Sequence, residues 1–143
     1  MPEFKFNFVK KTQTTEGTLE VHDLIIAGWT GRDTEAVEKH ILELEKIGIS
    51  RPSSTPIFYR ASSDLLTQGE KITVVGNNTS GEVEVFIAFV EGELWLGVGS
   101  DHTDRETEAY SVAISKQACA KPISRTLWNY KDVEAHWDRL VLR

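Results

Sequence analysis

Residues 81–105 read GEVEVFIAFVEGELWLGVGSDHTDR, and we expect the fold to be organised around this stretch. Val83–Val90 is predicted to be a strand because it is a run of β-branched and aromatic residues. Its side chains alternate between two faces, both apolar except for the glutamates at its start. A three-residue turn at Glu91-Gly92-Glu93 then returns the chain as a second strand over 94–98. The stretch therefore predicts a β-hairpin with carboxylates at its open end.

Three carboxylates gather at that open end. Glu82 and Glu84 are two residues apart and share one face of the strand, which apolar positions continue. Two adjacent carboxylates near the interior repel each other unless one is protonated or a cation neutralises them. The returning strand brings Asp101 towards Glu84, so three oxygen ligands would suit Mg²⁺ or Ca²⁺. The alternative is that Glu82 and Glu84 lie at an exposed strand end, solvated and without function.

The composition is that of an ordinary globular protein. The chain has 143 residues, which predicts a single domain over 1–143, and its formal net charge is −6. This charge argues against a nucleic-acid partner, because phosphate recognition requires concentrated Lys and Arg. The single Cys119 excludes an intrachain disulfide and fits a reducing compartment. No apolar run could span a bilayer and no signal peptide is recognisable, so we expect a cytoplasmic protein without a membrane partner.

The remaining strands make the predicted fold α+β and mostly β. Phe4, Phe6 and Phe8 alternate with polar residues, as a strand requires, whereas residues 10–17 are polar and are predicted to be a loop. Further strands are predicted at 24–28, 57–59 and 71–75.

Two helices are predicted. The first runs over 33–47 and is capped by one of its first two residues. The second runs over 104–118 with apolar residues at helical spacing. If the second helix is continuous, Lys116 lies about 16 Å from Arg105, because each residue rises about 1.5 Å.

Simpler roles are open for several polar residues. Ser100, Asp101, Thr103 or Asp104 can cap the second helix, so part of the cluster needs no ligand. Cys119 is a weak candidate nucleophile, and a half-buried structural cysteine is the better interpretation. Trp29, between two glycine-containing turns, is the tryptophan that we expect to line a pocket.

Several motifs resemble known families. The strings AGWTGRD (27–33), LLTQ (65–68) and GSDHTDR (99–105) resemble an uncharacterised family of bacterial and fungal proteins, a domain of unknown function. More distantly, the spacing of GEVE (81–84) and DHTDR (101–105) resembles the catalytic domain of the fumarylacetoacetate hydrolase superfamily. The resemblance extends over nearly the whole chain.

The superfamily resemblance implies a metal site beside an anion site. Superfamily members hold Mg²⁺, Mn²⁺ or Ca²⁺ with the two glutamates of a Glu-x-Glu strand and the aspartate of an Asp-x-x-x-Arg motif. These positions are Glu82, Glu84 and Asp101 here. Arg105 and Lys116 match positions that act on the carboxylate or enolate oxygen of the substrate, so we assign both to catalysis and to substrate binding.

Two further assignments complete the expected site. Arg60 stands where the superfamily has a lysine on the strand that enters the site, and we assign it, with Trp29, to substrate binding. The histidine of the superfamily hydrolases has no match, since Thr34 stands near its place. His40, on the following helix, is our candidate for the general base, and the alternative is a solvated histidine on the helix surface. We expect Glu84→Ala or Asp101→Ala to abolish metal binding with little loss of fold.

The resemblance also implies architecture and chemistry. It implies a mixed β-roll, a homodimer, a chain break between the positions of Arg105 and Lys116, and C-terminal strands that would follow Arg143 in relatives. The implied activity is that of a hydrolase or lyase acting on a small anionic oxo acid or β-dicarbonyl compound, by C–C hydrolysis, decarboxylation, tautomerisation or hydration through a metal-stabilised enolate. The second hypothesis is a catalytically silent scaffold or binding protein of the same fold.

Overall fold

The computed structural model describes residues 1–142. The strands are β1 (Glu3–Lys10), β2 (Gln13–Glu20), β3 (Leu24–Gly28), β4 (Ile57–Ala61), β5 (Leu66–Thr67), β6 (Thr79–Ser80), β7 (Val83–Val90), β8 (Glu93–Ser100), β9 (Thr103–Asp104), β10 (Lys121–Pro122) and β11 (Thr126–Asn129). The α-helices are α1 (Thr34–Glu45), α2 (Arg105–Tyr110), α3 (Val112–Gln117) and α4 (Tyr130–Val133), with 3₁₀ turns at Ser63–Leu65 and Glu134–Arg139. The predicted α+β, mostly β class is confirmed.

A five-stranded mixed sheet in the order β2-β1-β11-β8-β7 forms the main body. Strand β11 lies parallel to β1, and the other neighbours are antiparallel. Three pairs of shorter strands, β3-β4, β5-β10 and β6-β9, accompany it. Strands distant in sequence are therefore neighbours in the sheet.

One face of the main sheet holds an aromatic core. Phe6, Trp95 and Leu127 are buried there, and partly buried neighbours include Phe8 and Phe86. The ring of Phe8 meets that of Trp95 edge to face at 4.9 Å between centroids, a favourable arrangement for aromatic pairs. Alternation along β1, β8 and β11 directs these side chains to one side, as the phenylalanine spacing predicted.

The opposite face of the sheet is exposed near β7. The sequence predicts that both faces of this strand are apolar, but only one of them packs against the core. The other carries large apolar side chains, of which Phe89 is 73% exposed. We call this surface the outer apolar face, and its exposed members are Val83, Ile87, Phe89, Leu94 and Trp128.

Two strand-level expectations are wrong. Residues 10–17 are predicted to be a loop, but most of them belong to β2, which pairs with β1 along its whole length. Strand β2 is an edge strand, so its side chains are largely solvated and carry little hydrophobic signal.

Residues 71–75 are predicted to be a strand but form none, and Val75 is 86% exposed. Hydrophobicity alone did not distinguish an extended surface loop from a paired strand.

The predicted second helix is divided. Ser111 has φ −158° and ψ 114°, which ends α2, and its hydroxyl caps α3. The continuous helix over 104–118 is therefore wrong, and the break implied by the resemblance is present. Because of this break, Arg105 and Lys116 reach the same carboxylate, Glu82. Within residues 1–142 no helix is long and apolar enough to cross a membrane.

Candidate metal centre

The hairpin of β7 and β8 brings the three predicted carboxylates together. Its turn has two residues, Glu91 and Gly92, both at positive φ, where the sequence predicts three. In the resulting register Glu84 faces Gly99, and the Asp101 amide donates to the Glu82 carbonyl at 2.9 Å. One carboxylate oxygen from each of the three acidic residues lies within 4.8 Å of the other two.

Asp101 is the buried centre of this cluster. It is 6% exposed, and each of its carboxylate oxygens faces a lysine. Lys116 Nζ lies 2.6 Å from Asp101 Oδ2, and Lys121 Nζ lies 3.0 Å from Asp101 Oδ1. The contact between Lys121 Nζ and Asp101 Oδ1 is close enough for an ion pair but lacks the geometry of a hydrogen bond. Asp101 Oδ1 has no hydrogen-bond partner among the described residues. This buried oxygen therefore retains hydrogen-bonding capacity that no donor uses.

Lys116 is buried among the acidic residues. Its ammonium donates to Thr103 Oγ1 at 3.1 Å and to Glu82 Oε2 at 3.3 Å, in addition to its contact with Asp101. Burial by itself lowers the pKa of Lys116, but the hydrogen bond and charge of Asp101 and the charge of Glu82 outweigh it and raise that pKa. The ammonium is therefore charged at neutral pH.

Lys121 approaches the same carboxylate from β10. It is 3% exposed and donates to the His102 carbonyl. Its strand lies close to β8 at Gly99, where an added Cβ would meet the Pro122 carbonyl at 3.1 Å. The absence of a side chain at Gly99 thus allows the backbone that carries Lys121 to pack against the hairpin.

Arg105 closes the opposite side of the cluster. Its Nη1 pairs with Glu82 Oε1 at 2.6 Å and with Glu108 Oε2 at 3.0 Å, and its Nε donates to Ser80 Oγ at 2.6 Å. Asp104 caps α2 by accepting from the Thr107 amide. Of the capping alternatives left open by the sequence, the structure selects Asp104.

Glu84 differs from the other two acidic residues. Among residues 1–142 it forms no ion pair with Lys or Arg, whereas Glu82 and Asp101 each contact two cationic side chains. The residue reaches solvent, yet desolvation of its carboxyl raises the pKa of Glu84, and the charges of Asp101 and Glu82 raise it further. Glu84 is therefore the carboxylate that gains most from a new cation.

The other predicted site residues have contacts elsewhere. Arg60 is exposed on β4 and pairs with Asp23. His40 is exposed on α1, and its ring lies 5.4 Å from that of Trp29 between centroids, with the two planes tilted by 49°. No hydrogen bond or ion pair of the described chain joins Arg60, His40 or Trp29 to the three carboxylates. The structure therefore does not bring these three residues into the cluster.

Comparison with family profiles identifies the group to which this sequence belongs. The match is to the family described as "protein of unknown function (DUF2848)" and covers residues 27–143. The chain is a member of the DUF2848 family. No curated protein and no solved structure matches it. The family assignment agrees with the domain of unknown function expected from the motifs at 27–33, 65–68 and 99–105.

In this DUF2848 chain the sequence reasoning missed Lys121. The resemblance called for a lysine before a proline-ended turn, and we assigned that position to Lys116. Lys121 directly precedes Pro122 and satisfies the same description. Both lysines contact Asp101, so the adjacent proline was the available signal for the second one.

The thiol alternative gains no support. Cys119 is 2% exposed, and burial raises the pKa of its thiol, which favours the unreactive protonated form. His102, the nearest histidine in sequence to the cluster, contacts Thr79 Oγ1 at 3.0 Å through Nε2. The structure is consistent with a buried structural cysteine.

Proposed function

We propose that this protein is a divalent-metal-dependent enzyme that acts on a small anionic oxo acid or β-dicarbonyl compound. The observation that carries the proposal is the convergence of Glu82, Glu84 and Asp101, whose ligand atoms lie within 4.8 Å of one another. All three come from one hairpin and its extension, so the donor set is held by backbone hydrogen bonds.

The donor set fits a hard cation. Three carboxylate oxygens are the ligands that Mg²⁺, Mn²⁺ and Ca²⁺ prefer. The unpartnered Asp101 Oδ1 and the unpaired Glu84 both gain a favourable contact from such an ion. When bound, the metal would supply Lewis-acid stabilisation of a developing enolate oxygen.

The basic side chains would select an anionic substrate. Arg105, Lys116 and Lys121 surround the carboxylates, and Arg105 is the most accessible of them, with 37% of its side chain exposed. Its Nη1 and Nε are bonded to Glu82, Glu108 and Ser80, so Nη2 is the nitrogen that would donate to a substrate carboxylate. The choice of oxo acids and β-dicarbonyl compounds rests on the resemblance of the Glu-x-Glu and Asp-x-x-x-Arg motifs to the fumarylacetoacetate hydrolase superfamily. The role of Arg60 rests on that resemblance alone, and Arg60, Trp29 and His40 have their contacts outside the three carboxylates.

The same resemblance supports two further proposals, a mixed β-roll and a homodimer, and the single Cys119 supports a third, a cytoplasmic location. The outer apolar face is the surface that we assign to the dimer. Ile87 and Phe89 are 59% and 73% exposed there, and β7 is an edge strand of the sheet. An edge strand can pair with its own copy across a two-fold axis, which would cover both the unpaired backbone groups and the apolar side chains.

A silent scaffold or binding protein is the second candidate. It is favoured by charge balance, since Arg105, Lys116 and Lys121 already offset most of the negative charge of the three carboxylates and of Glu108, which also pairs with Arg105. The cluster therefore has little net formal charge for a metal to neutralise. On this alternative the ion pairs stabilise the fold and have no substrate.

Calorimetric titration of Mg²⁺, Mn²⁺ and Ca²⁺ distinguishes the two functions. We expect one ion per chain and a loss of binding in Glu84→Gln, which removes the unpaired carboxylate without leaving a lysine or arginine uncompensated. Glu20→Gln is the matched control, because it removes the same charge from an exposed position on another strand. A folded wild-type protein that binds none of the three ions would refute the enzyme proposal. Binding would justify a screen of oxo acids.

A further inference from the structure

The Lys116 ammonium lies between the carboxylates, at a position where a bound metal ion would make its contacts. Its ammonium lies 2.6 Å from Asp101 Oδ2 and 3.3 Å from Glu82 Oε2. Thr103 Oγ1, at 3.1 Å, completes the set of oxygen neighbours. A divalent ion that binds Asp101 Oδ2 and Glu82 Oε2 would compete with Lys116 for these two oxygens, because the ammonium already contacts both of them.

The other two cations are anchored differently. Lys121 also donates to the His102 carbonyl, and Arg105 also contacts Ser80 and Glu108. Both therefore retain partners if the carboxylates turn towards a metal. Lys116 has no acceptor outside the group formed by Asp101, Glu82 and Thr103 among the described residues.

Charge balance also distinguishes Lys116 from the other two cations. With Glu108, which also pairs with Arg105, the cluster carries a net formal charge of about −1, so an added divalent ion makes the cluster positive and brings two positive charges close to three existing ones. Like charges a few ångströms apart repel more strongly inside a protein than in water, because the local dielectric constant is lower. Withdrawal of one resident cation relieves much of this repulsion. Lys116 contacts the ligand oxygens, so its withdrawal would also free these oxygens for the metal.

We propose that Lys116 is a tethered counter-ion, which holds the carboxylates together in the metal-free protein and must leave Asp101 and Glu82 before a divalent cation binds. This inference rests on the metal site of the proposed function. The lysine stem has four flexible carbons, and α3 is a six-residue helix that begins at the break at Ser111. Metal affinity is thereby set by competition with a side chain of the same protein.

The test compares metal affinities by calorimetry with Mg²⁺ and Mn²⁺. Lys116→Met keeps the apolar stem and removes the charge, so we expect at least about tenfold tighter binding than in the wild type. Lys116→Arg retains a cation and should bind more weakly than Lys116→Met. Lys39→Met is the matched control, because Lys39 is 80% exposed on α1. Equal or weaker binding by folded Lys116→Met, with one ion bound in the wild type, would overturn the inference alone.

A second measurement uses the intact wild-type chain. Lysine labelled with ¹³C at Cε gives one NMR signal per side chain, and the signal missing from Lys116→Arg identifies Lys116. Titration with Mg²⁺ should shift that signal in step with calorimetric saturation while the Lys39 signal stays in place. Metal binding without a change at Lys116 would contradict displacement. Absence of binding in wild type and in Lys116→Met would refute the metal site itself, and this inference with it.

Discussion

Replacement of Asp101 by Asn removes the one carboxylate shared by two buried lysines. In the native protein Lys116 and Lys121 are 7% and 3% exposed, with Nζ atoms 2.6 and 3.0 Å from the Asp101 oxygens. Asparagine has nearly the same shape but carries no charge. The variant therefore leaves two buried ammonium groups with only Glu82, at 3.3 Å from Lys116, as a close counter-charge.

The magnitude follows from the burial of those charges. Breaking a buried ion pair by removing one partner costs about 3–5 kcal/mol, because the remaining charge stays desolvated. The contact between Lys116 and Glu82 offsets part of the second loss, so we expect about 3–5 kcal/mol in total. With a urea slope of about 2 kcal/mol/M, the unfolding midpoint should fall by roughly 2 M. This differs from the sequence-based expectation that Asp101→Ala causes little loss of fold.

The assay is urea denaturation of metal-free protein, followed by tryptophan fluorescence. Asp23→Asn is the control, since Asp23 pairs with Arg60 at a site where both side chains are more than half exposed. That exposed pair should contribute less than about 1 kcal/mol. A midpoint for Asp101→Asn equal to that of Asp23→Asn would show that the buried ion pairs do not stabilise the fold, and our account of the cluster would be wrong.

Three other predictions concern the hairpin. The pKa of Glu84 is raised, so the folded state binds its proton more tightly than the unfolded state does. The stabilisation from this proton is present below the ordinary pKa of 4.5 and is lost as pH rises through the raised pKa. Metal-free Glu84→Gln should thus be more stable than wild type at pH 7 but not at pH 4, in urea titrations at both values; equal effects at both would contradict this. Gly97→Ala should lower the free energy of unfolding by about 1–3 kcal/mol, because its Cβ would lie 2.3 Å from the Phe86 ring; unchanged thermal unfolding would exclude the clash. The proposed homodimer predicts that Phe89→Lys halves the mass measured by light scattering, and a monomeric wild type would refute it.

Parts of the fold are readable from neighbouring residues. The strand Val83–Val90 and the helix capped by Asp33 were predicted correctly, because alternation and capping involve residues a few positions apart. The edge strand β2 was missed for the converse reason. Its pairing with β1 is a backbone interaction that leaves polar, solvated side chains, so the hydrophobic pattern contains little trace of it.

The candidate site divides in the same way. Glu82 and Glu84 share a strand, and the hairpin returns Asp101 beside them, so their convergence follows from local chain geometry. The proximity of Arg105 and Lys116 depended on the break at Ser111, which helical periodicity conceals. Arg60 is the reverse case, because the motif placed it in the site whereas its guanidinium pairs with Asp23 at the surface.

By itself the sequence determined the β-hairpin, the carboxylates at its open end and the mostly β class. Tertiary structure alone decided that Lys116 and Lys121 would both face Asp101, and that one face of β7 would stay exposed. The physical reason is that alternation and turn geometry act between residues close in sequence. The burial of a charge, by contrast, depends on which distant segments exclude water around it.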